Sequence, residues 1–210
     1  MKKKIISLCL VIALVATAIA GATLAYFTDT DVVNNTFTVG NIDIKLDEAP
    51  VGDDGVADKG DRVKENDYHL YPGMTYDKDP MVTVIKGSEE CYVRMEMDIN
   101  NQDLLDEYLS EYEIADILTG YGVNWEYKNS ELSEDGKVRT YHFWYKNPVK
   151  PAADQDLALE PLFQKIEVPA GLKNDEMQAL NGLKIDVRAY AIQTESFDDA
   201  ADAWANFPTT

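Results

Sequence analysis

From Tyr92 to Ile99 apolar and polar residues alternate without a break, with Val93, Met95, Met97 and Ile99 on one face and Tyr92 and Arg94 on the other. A two-residue period is the signature of a strand with one face in a core. The pattern recurs along the chain. Ile42, Ile44 and Leu46 alternate with Asn41, Asp43 and Lys45 at the end of an expected strand over 36–46, and Gly40 marks a change of parity there that suggests a bulge or bend. Further strands are expected at 81–85, 92–99, 123–128, 137–146, 162–168 and 183–193. The first pair, separated by 86–90, reads as a hairpin with one buried face. Trp125 and Tyr127 alternate opposite Tyr141, Phe143 and Tyr145, which suits cross-strand packing around an acidic turn at 129–136 ending in Asp135-Gly136.

Two stretches change period. Leu104, Leu105, Tyr108, Leu109, Tyr112, Ile114, Ile117 and Leu118 recur at three- and four-residue spacing, predicting an amphipathic helix over about 102–118 that Gly120 ends. Near the C-terminus Phe197, Ala200, Ala201 and Trp204 share a helical face. Residues 47–67 mix Gly52, Gly55 and Gly60 with many aspartates and few apolar residues, as expected of a long exposed acidic loop. Leu70-Tyr71-Pro72-Gly73 reads as a turn, with Pro setting φ and Gly free to take a positive one. Many short strands broken by turns predict a mainly β fold, a jelly roll or β-sandwich with two helical insertions.

The N-terminus fixes the compartment. Lys2, Lys3 and Lys4 precede an uncharged apolar run from Ile5 to Ala22, and small residues follow, which is the order of a secretory signal peptide. Two cleavage points compete. A cut after Ala22 satisfies Ala-x-Ala with Ala20, whereas a cut after Ala25 puts Thr23 three positions back. The leader carries three lysines and no acid, so losing it takes the formal net charge from −19 to −22. A surface that acidic repels nucleic acid and anionic lipid. Nucleic acid is therefore not an expected partner, and the membrane is met only through the leader before cleavage. The other leader residue of note, Cys9, sits within the apolar run. Cys91 is then the one cysteine of the mature chain, so no internal disulfide is expected, and its place in a strand marks a buried small hydrophobe rather than a nucleophile.

The chemistry-bearing patterns are missing. His69 and His142 are the chain's two histidines, and neither stands in His-Glu-x-x-His or related zinc-protease spacing. No Gly-x-Ser-x-Gly and no glycine-rich phosphate loop occurs. The carboxylates of 47–67 raise calcium as an alternative, but their spacing is not that of an EF-hand. No catalytic, metal or cofactor residues are expected, and the chain reads as a non-enzyme. The C-terminal 205–210 carries neither an apolar tail nor a basic end, so no sortase-type wall anchor is expected.

Ala22-Thr23-Leu24-Ala25-Tyr26-Phe27-Thr28-Asp29-Thr30, continued by Asn35-Thr36-Phe37-Thr38-Val39-Gly40-Asn41-Ile42-Asp43-Ile44, closely resembles the TasA/camelysin family of Gram-positive bacteria. The Leu70-Tyr71-Pro72-Gly73 turn is also family-like, and Tyr190–Phe197 with Ala203-Trp204 resembles a clostridial-type branch. The resemblance implies a biofilm-matrix protein of the extracellular matrix or cell surface, released by a SipW-type signal peptidase that cuts between Ala25 and Tyr26. It divides the chain into a signal peptide (1–25), an N-terminal donor-strand arm (26–35) and one jelly-roll domain (36–210). Subunits would join head to tail into pilus-like fibres by donor-strand exchange, with room for minor fibre subunits and with Tyr26, Phe27, Val32 and Val33 as the arm's apolar anchors. The resemblance also carries a rival reading, a camelysin-like surface metalloprotease, and apart from it a third reading is a monomeric secreted adhesin binding host or wall ligands.

Overall fold

The computed structural model describes residues 28–31, 41–112 and 114–208. In chain order the elements are β1 (Thr28–Asp31), β2 (Ile44–Asp47), β3 (Thr75–Asp77), β4 (Met81–Val84), β5 (Cys91–Ile99), α1 (Gln102–Tyr108), α2 (Ile114–Ile117), β6 (Leu118–Thr119), β7 (Trp125–Leu132), β8 (Arg139–Tyr145), β9 (Leu157–Ala158), β10 (Lys165–Glu167), α3 (Asn174–Ala179), β11 (Ile185–Gln193) and α4 (Ala200–Ala205). The fold is mainly β, as its periodicity predicts. All strand pairs are antiparallel and form three sheets: β1-β11-β5-β8-β7, β3-β10-β6 and β2-β4-β9.

Alternation in β5 places the core. Cys91, Val93, Met95, Met97 and Ile99 are buried, and the residues between them are only partly covered. They share one contiguous core with Phe143 of β8, Val82 and Val84 of β4, Ile44 of β2 and Ile166 of β10. The inner face of the large sheet thus packs against both small sheets, as in a sandwich. Each large apolar side chain fully withdrawn from water contributes roughly 1.5–3 kcal/mol. With a single free, buried cysteine among the described residues, this core carries the stability without a disulfide.

Three expectations need correction. The strands around 81–85 and 92–99 do not form a hairpin. β4 pairs with β2 and β9, while β5 pairs with β11 and β8. Both alternate because both face the same core, from opposite layers, and 86–90 crosses between them. The helix expected over 102–118 is broken. α1 stops at Tyr108, α2 is a single turn, and Leu118 has left the helix to pair with Ile166 of β10. Leu109, Ile117 and Leu118 are all buried, and one straight helix would not serve both the α1 contact and the β10 ladder. The acidic turn after β7 is shorter than expected, because the strand runs on to Leu132 and only 133–136 turn.

The loop 47–67 is irregular but pinned. Bridges join Glu48 to Val63 and Val51 to Ala57. Gly55, at φ 78°, lies against the Tyr76 ring, which leaves no room for a Cβ. The Tyr76 hydroxyl donates to the His69 carbonyl (2.7 Å) and accepts from Tyr71 N–H (2.8 Å), so Tyr76 anchors both the loop and the Pro-Gly turn.

Candidate assembly site

The large sheet ends in two different edges. At one, β1 adds to β11 in the register Thr28↔Ile192, Asp29↔Ala191, Thr30↔Tyr190 and Asp31↔Ala189. β11 runs on to Ile185, so β1 covers part of its length, while on its other side β11 pairs with β5 along all nine residues. The segment 28–31 lies inside the stretch that the sequence assigns to a donor arm, and here it pairs with its own chain. Ala25, Tyr26, Phe27, Val32 and Val33 lie outside the described residues.

The outward face of this edge is closed by the C-terminus. Asp199 caps α4 by accepting from Asp202 N–H (2.9 Å), the usual service of an aspartate at a helix start. α4 brings Ala203 and Trp204 onto Ile192, with Trp144, Tyr190 and Phe207 packed around them. The Arg94 guanidinium lies 4.9 Å from the Tyr190 ring centre, 4.7 Å from Trp204 and 4.8 Å from Phe207. Burial lowers the Arg94 pKa from its usual value, against the opposing pull of Glu96. Beside this cage Arg188 forks onto both carboxylate oxygens of Asp98, which also accepts from Thr140 (2.7 Å). Burial works to raise the Asp98 pKa, but the bonds from Arg188 and Thr140 win and hold it below the ordinary aspartate value.

At the other edge, β7 pairs with β8 across a bulge between Tyr127 and Asn129. Its aromatics meet those of β8 as expected: Trp125 lies 5.0 Å from Tyr145, and Tyr127 5.7 Å from Phe143. Lys128, the extra residue at the bulge, pairs with Glu126 (2.8 Å) and sits 4.7 Å over the Trp144 ring.

Neither histidine is assembled into a metal-binding set. His69 packs against Tyr71, ring centres 4.8 Å apart. His142, on β8, lies between Glu96 (3.6 Å) and Glu131 (3.9 Å). Among the described residues no group of three or more His, Cys, Asp or Glu side chains is placed to hold a metal ion. Several carboxylates in and beside the loop serve the protein itself. Within it Asp47 accepts from Arg62 and Asp54 from Val56 N–H, and from outside it Asp77 accepts from Ala57 N–H and Lys165 and Asp79 from Ala49 N–H and Arg62. Cys91 is fully buried, and burial pushes its thiol up to about 12, the state of a packed hydrophobe and not of a nucleophile.

Two features escaped the sequence. The pairing of 28–31 with β11 spans most of the chain, and no local pattern announces it. A second cluster, Lys78 with Glu48 and Asn66, was partly legible: Lys78 shares the inward parity of Tyr76 and Pro80, and a lysine on a buried parity needs a partner. Among the described residues no helix is long and apolar enough to cross a membrane.

Residues 1–77 match the family model described as camelysin metallo-endopeptidase, which supports the TasA/camelysin resemblance and, at family level, a secreted or surface protein. That family's name stands against the expectation of a non-enzyme, although the matched stretch contains one histidine, His69. No curated protein and no solved structure matches the chain.

Proposed function

We propose that this TasA/camelysin-like chain is a secreted structural subunit, not an enzyme, that polymerises into extracellular fibres by donor-strand exchange. One observation carries the reading: a short strand, starting three residues after the expected cleavage point at Ala25, adds antiparallel to the edge of β11. In the fibre the arm of a neighbouring subunit takes that role. The contact is then heterologous and does not close, so it grows filaments. The pairing within one chain is brief, and each backbone hydrogen bond contributes only roughly 0.5–1.5 kcal/mol net, so exchanging it for an equivalent strand costs little. Tyr26, Phe27, Val32 and Val33 flank the strand and supply apolar anchors at roughly 1.5–3 kcal/mol each when buried. A SipW-type peptidase cutting between Ala25 and Tyr26 frees the arm, so assembly waits for export.

Deleting 26–35 tests this. The variant should fold and stay soluble yet form no filaments in negative stain, and normal filaments from it would overturn the mechanism. The metallo-endopeptidase description favours a second reading, and casein hydrolysis separates the two. The mature protein should show none, whereas proteolysis abolished by His69→Ala or His142→Ala would establish the protease.

A further inference from the structure

The acidic loop brings Glu48 and Asn66 together with Lys78. Lys78 and Glu48 are both almost wholly buried, with Lys78 Nζ 2.5 Å from Glu48 Oε2. The other oxygen of the same carboxylate accepts from Asn66 Nδ2 at 3.0 Å, so Glu48 bridges an amine and a side-chain amide. Asn66 is held firmly: its Nδ2 also donates to the Ala49 carbonyl (2.8 Å), and its Oδ1 accepts from Val51 N–H (2.9 Å). Aromatic rings wall the site. Lys78 Nζ lies 5.6 Å from the Tyr68 ring centre, and Tyr68 stands edge-on to Tyr76 at 6.1 Å. Burial, and next the Glu48 carboxylate, raise the Tyr68 pKa from its usual value, so its hydroxyl stays neutral beside the pair.

A buried lysine–glutamate pair is a poor device for stability alone, since the desolvation of both charges offsets most of their attraction. The third partner changes its meaning. We infer that Lys78 and Asn66 join in an intramolecular amide, with Glu48 as the proton carrier. Glu48 takes a proton from the Lys78 ammonium, and the freed Nζ lone pair attacks Asn66 Cγ. The negative charge that develops on Oδ1 faces the Val51 N–H, the kind of preset donor that stabilises a tetrahedral intermediate. The Cγ–Nζ bond forms and the Cγ–Nδ2 bond breaks. Nζ gives up two protons and keeps one. Nδ2 takes both and leaves as ammonium, and Glu48 ends as the carboxylate it was. No oxidant, reductant or cofactor is required. The link fastens the end of the acidic loop to the residue after β3, closing the Pro72-Gly73 turn in a ring. It supplies a covalent staple to a mature chain whose single cysteine rules out an internal disulfide. This inference stands apart from the fibre mechanism, since either can hold without the other.

Mass spectrometry of the secreted protein decides it. The intact mature chain should be lighter than its sequence by one ammonia, and trypsin should fail to cut after Lys78. An unlinked chain instead releases the peptide from Glu65 to Lys78, because no other lysine or arginine lies between Lys64 and Lys78. Glu48→Gln should restore both the sequence mass and the cut, with Lys78 and Asn66 still present. A cyclic imide at Asn66-Asp67 also loses ammonia, but it leaves Lys78 cleavable and survives Lys78→Met. An ammonia loss that persists in Lys78→Met, or a wild-type chain of full sequence mass that is cut after Lys78, would overturn the inference. The wild-type measurement alone is decisive should a variant fail to fold.

Discussion

The two edges of the large sheet face the same hazard and answer it differently. An uncovered strand edge offers unpaired backbone groups to any other chain. β7 is blunted in place by a bulge at Tyr127/Asn129 and by Glu126, Lys128 and Glu131 along an exposed strand. β11 is not blunted. Its Ala189, Ala191 and Ile192 are fully buried, its outward face is closed by Trp204 and Phe207, and its edge is covered by only the four residues of β1. One edge refuses partners through its own sequence, and the other is closed by a short strand that the proposed mechanism exchanges between subunits. Under the proposed exchange such a subunit has a direction, which a head-to-tail fibre requires.

The largest expected blow to this contrast is Trp204→Ala. Trp204 is 7% exposed and packs on Ile192, Arg94, Trp144 and Phe207, so truncation should cost about 3–5 kcal/mol. Hydrogen exchange should quicken in β11 well before β7. Equal loosening of both edges would show that the C-terminal segment does not specifically support β11.

Asp98→Asn comes next, at about 1–2 kcal/mol near neutral pH, because its bonds to Arg188 are charge-assisted yet partly screened by solvent. The sign with pH follows from the folded state's lowered pKa. The stabilisation is complete above the unfolded aspartate value of about 3.9 and fades as pH falls through the lower folded one. Denaturant midpoints of wild type and variant should therefore differ at neutral pH and converge in acid. A gap that widens on acidification contradicts the assignment.

The smallest effect belongs to β7. Lys128→Ala removes a surface pair and the stack on Trp144, worth about 0.5–1 kcal/mol, and should leave filament number and length unchanged. Filaments lost through Lys128→Ala would place the joint at the wrong edge.

What the sequence made legible follows range. β5 was readable because a strand with one buried face prints its period locally, and the aromatic pairs of β7 and β8 were readable because their rings alternate along the chain. β3, β6 and β9 are two or three residues long, too short to print a period. The hairpin misreading of β4 and β5 shows that alternation gives a strand's parity and not its sheet. The parity of Lys78 with Tyr76 and Pro80 hints that it is buried, but only the folded loop brings Glu48 and Asn66 to it, and β1 meets β11 across most of the chain, so no local pattern names either set of partners.

The register Thr30↔Tyr190 offers the most direct test of exchange at β11. Thr30→Cys and Tyr190→Cys placed in one chain should, after oxidation of assembled fibres, run as a ladder of covalent multimers that reductant collapses to monomer. The native Cys91 will not compete, being fully buried with its thiol pushed up to about 12. Oxidised fibres that run only as monomers, each closed by a disulfide within its own chain, would contradict donor-strand exchange at this edge.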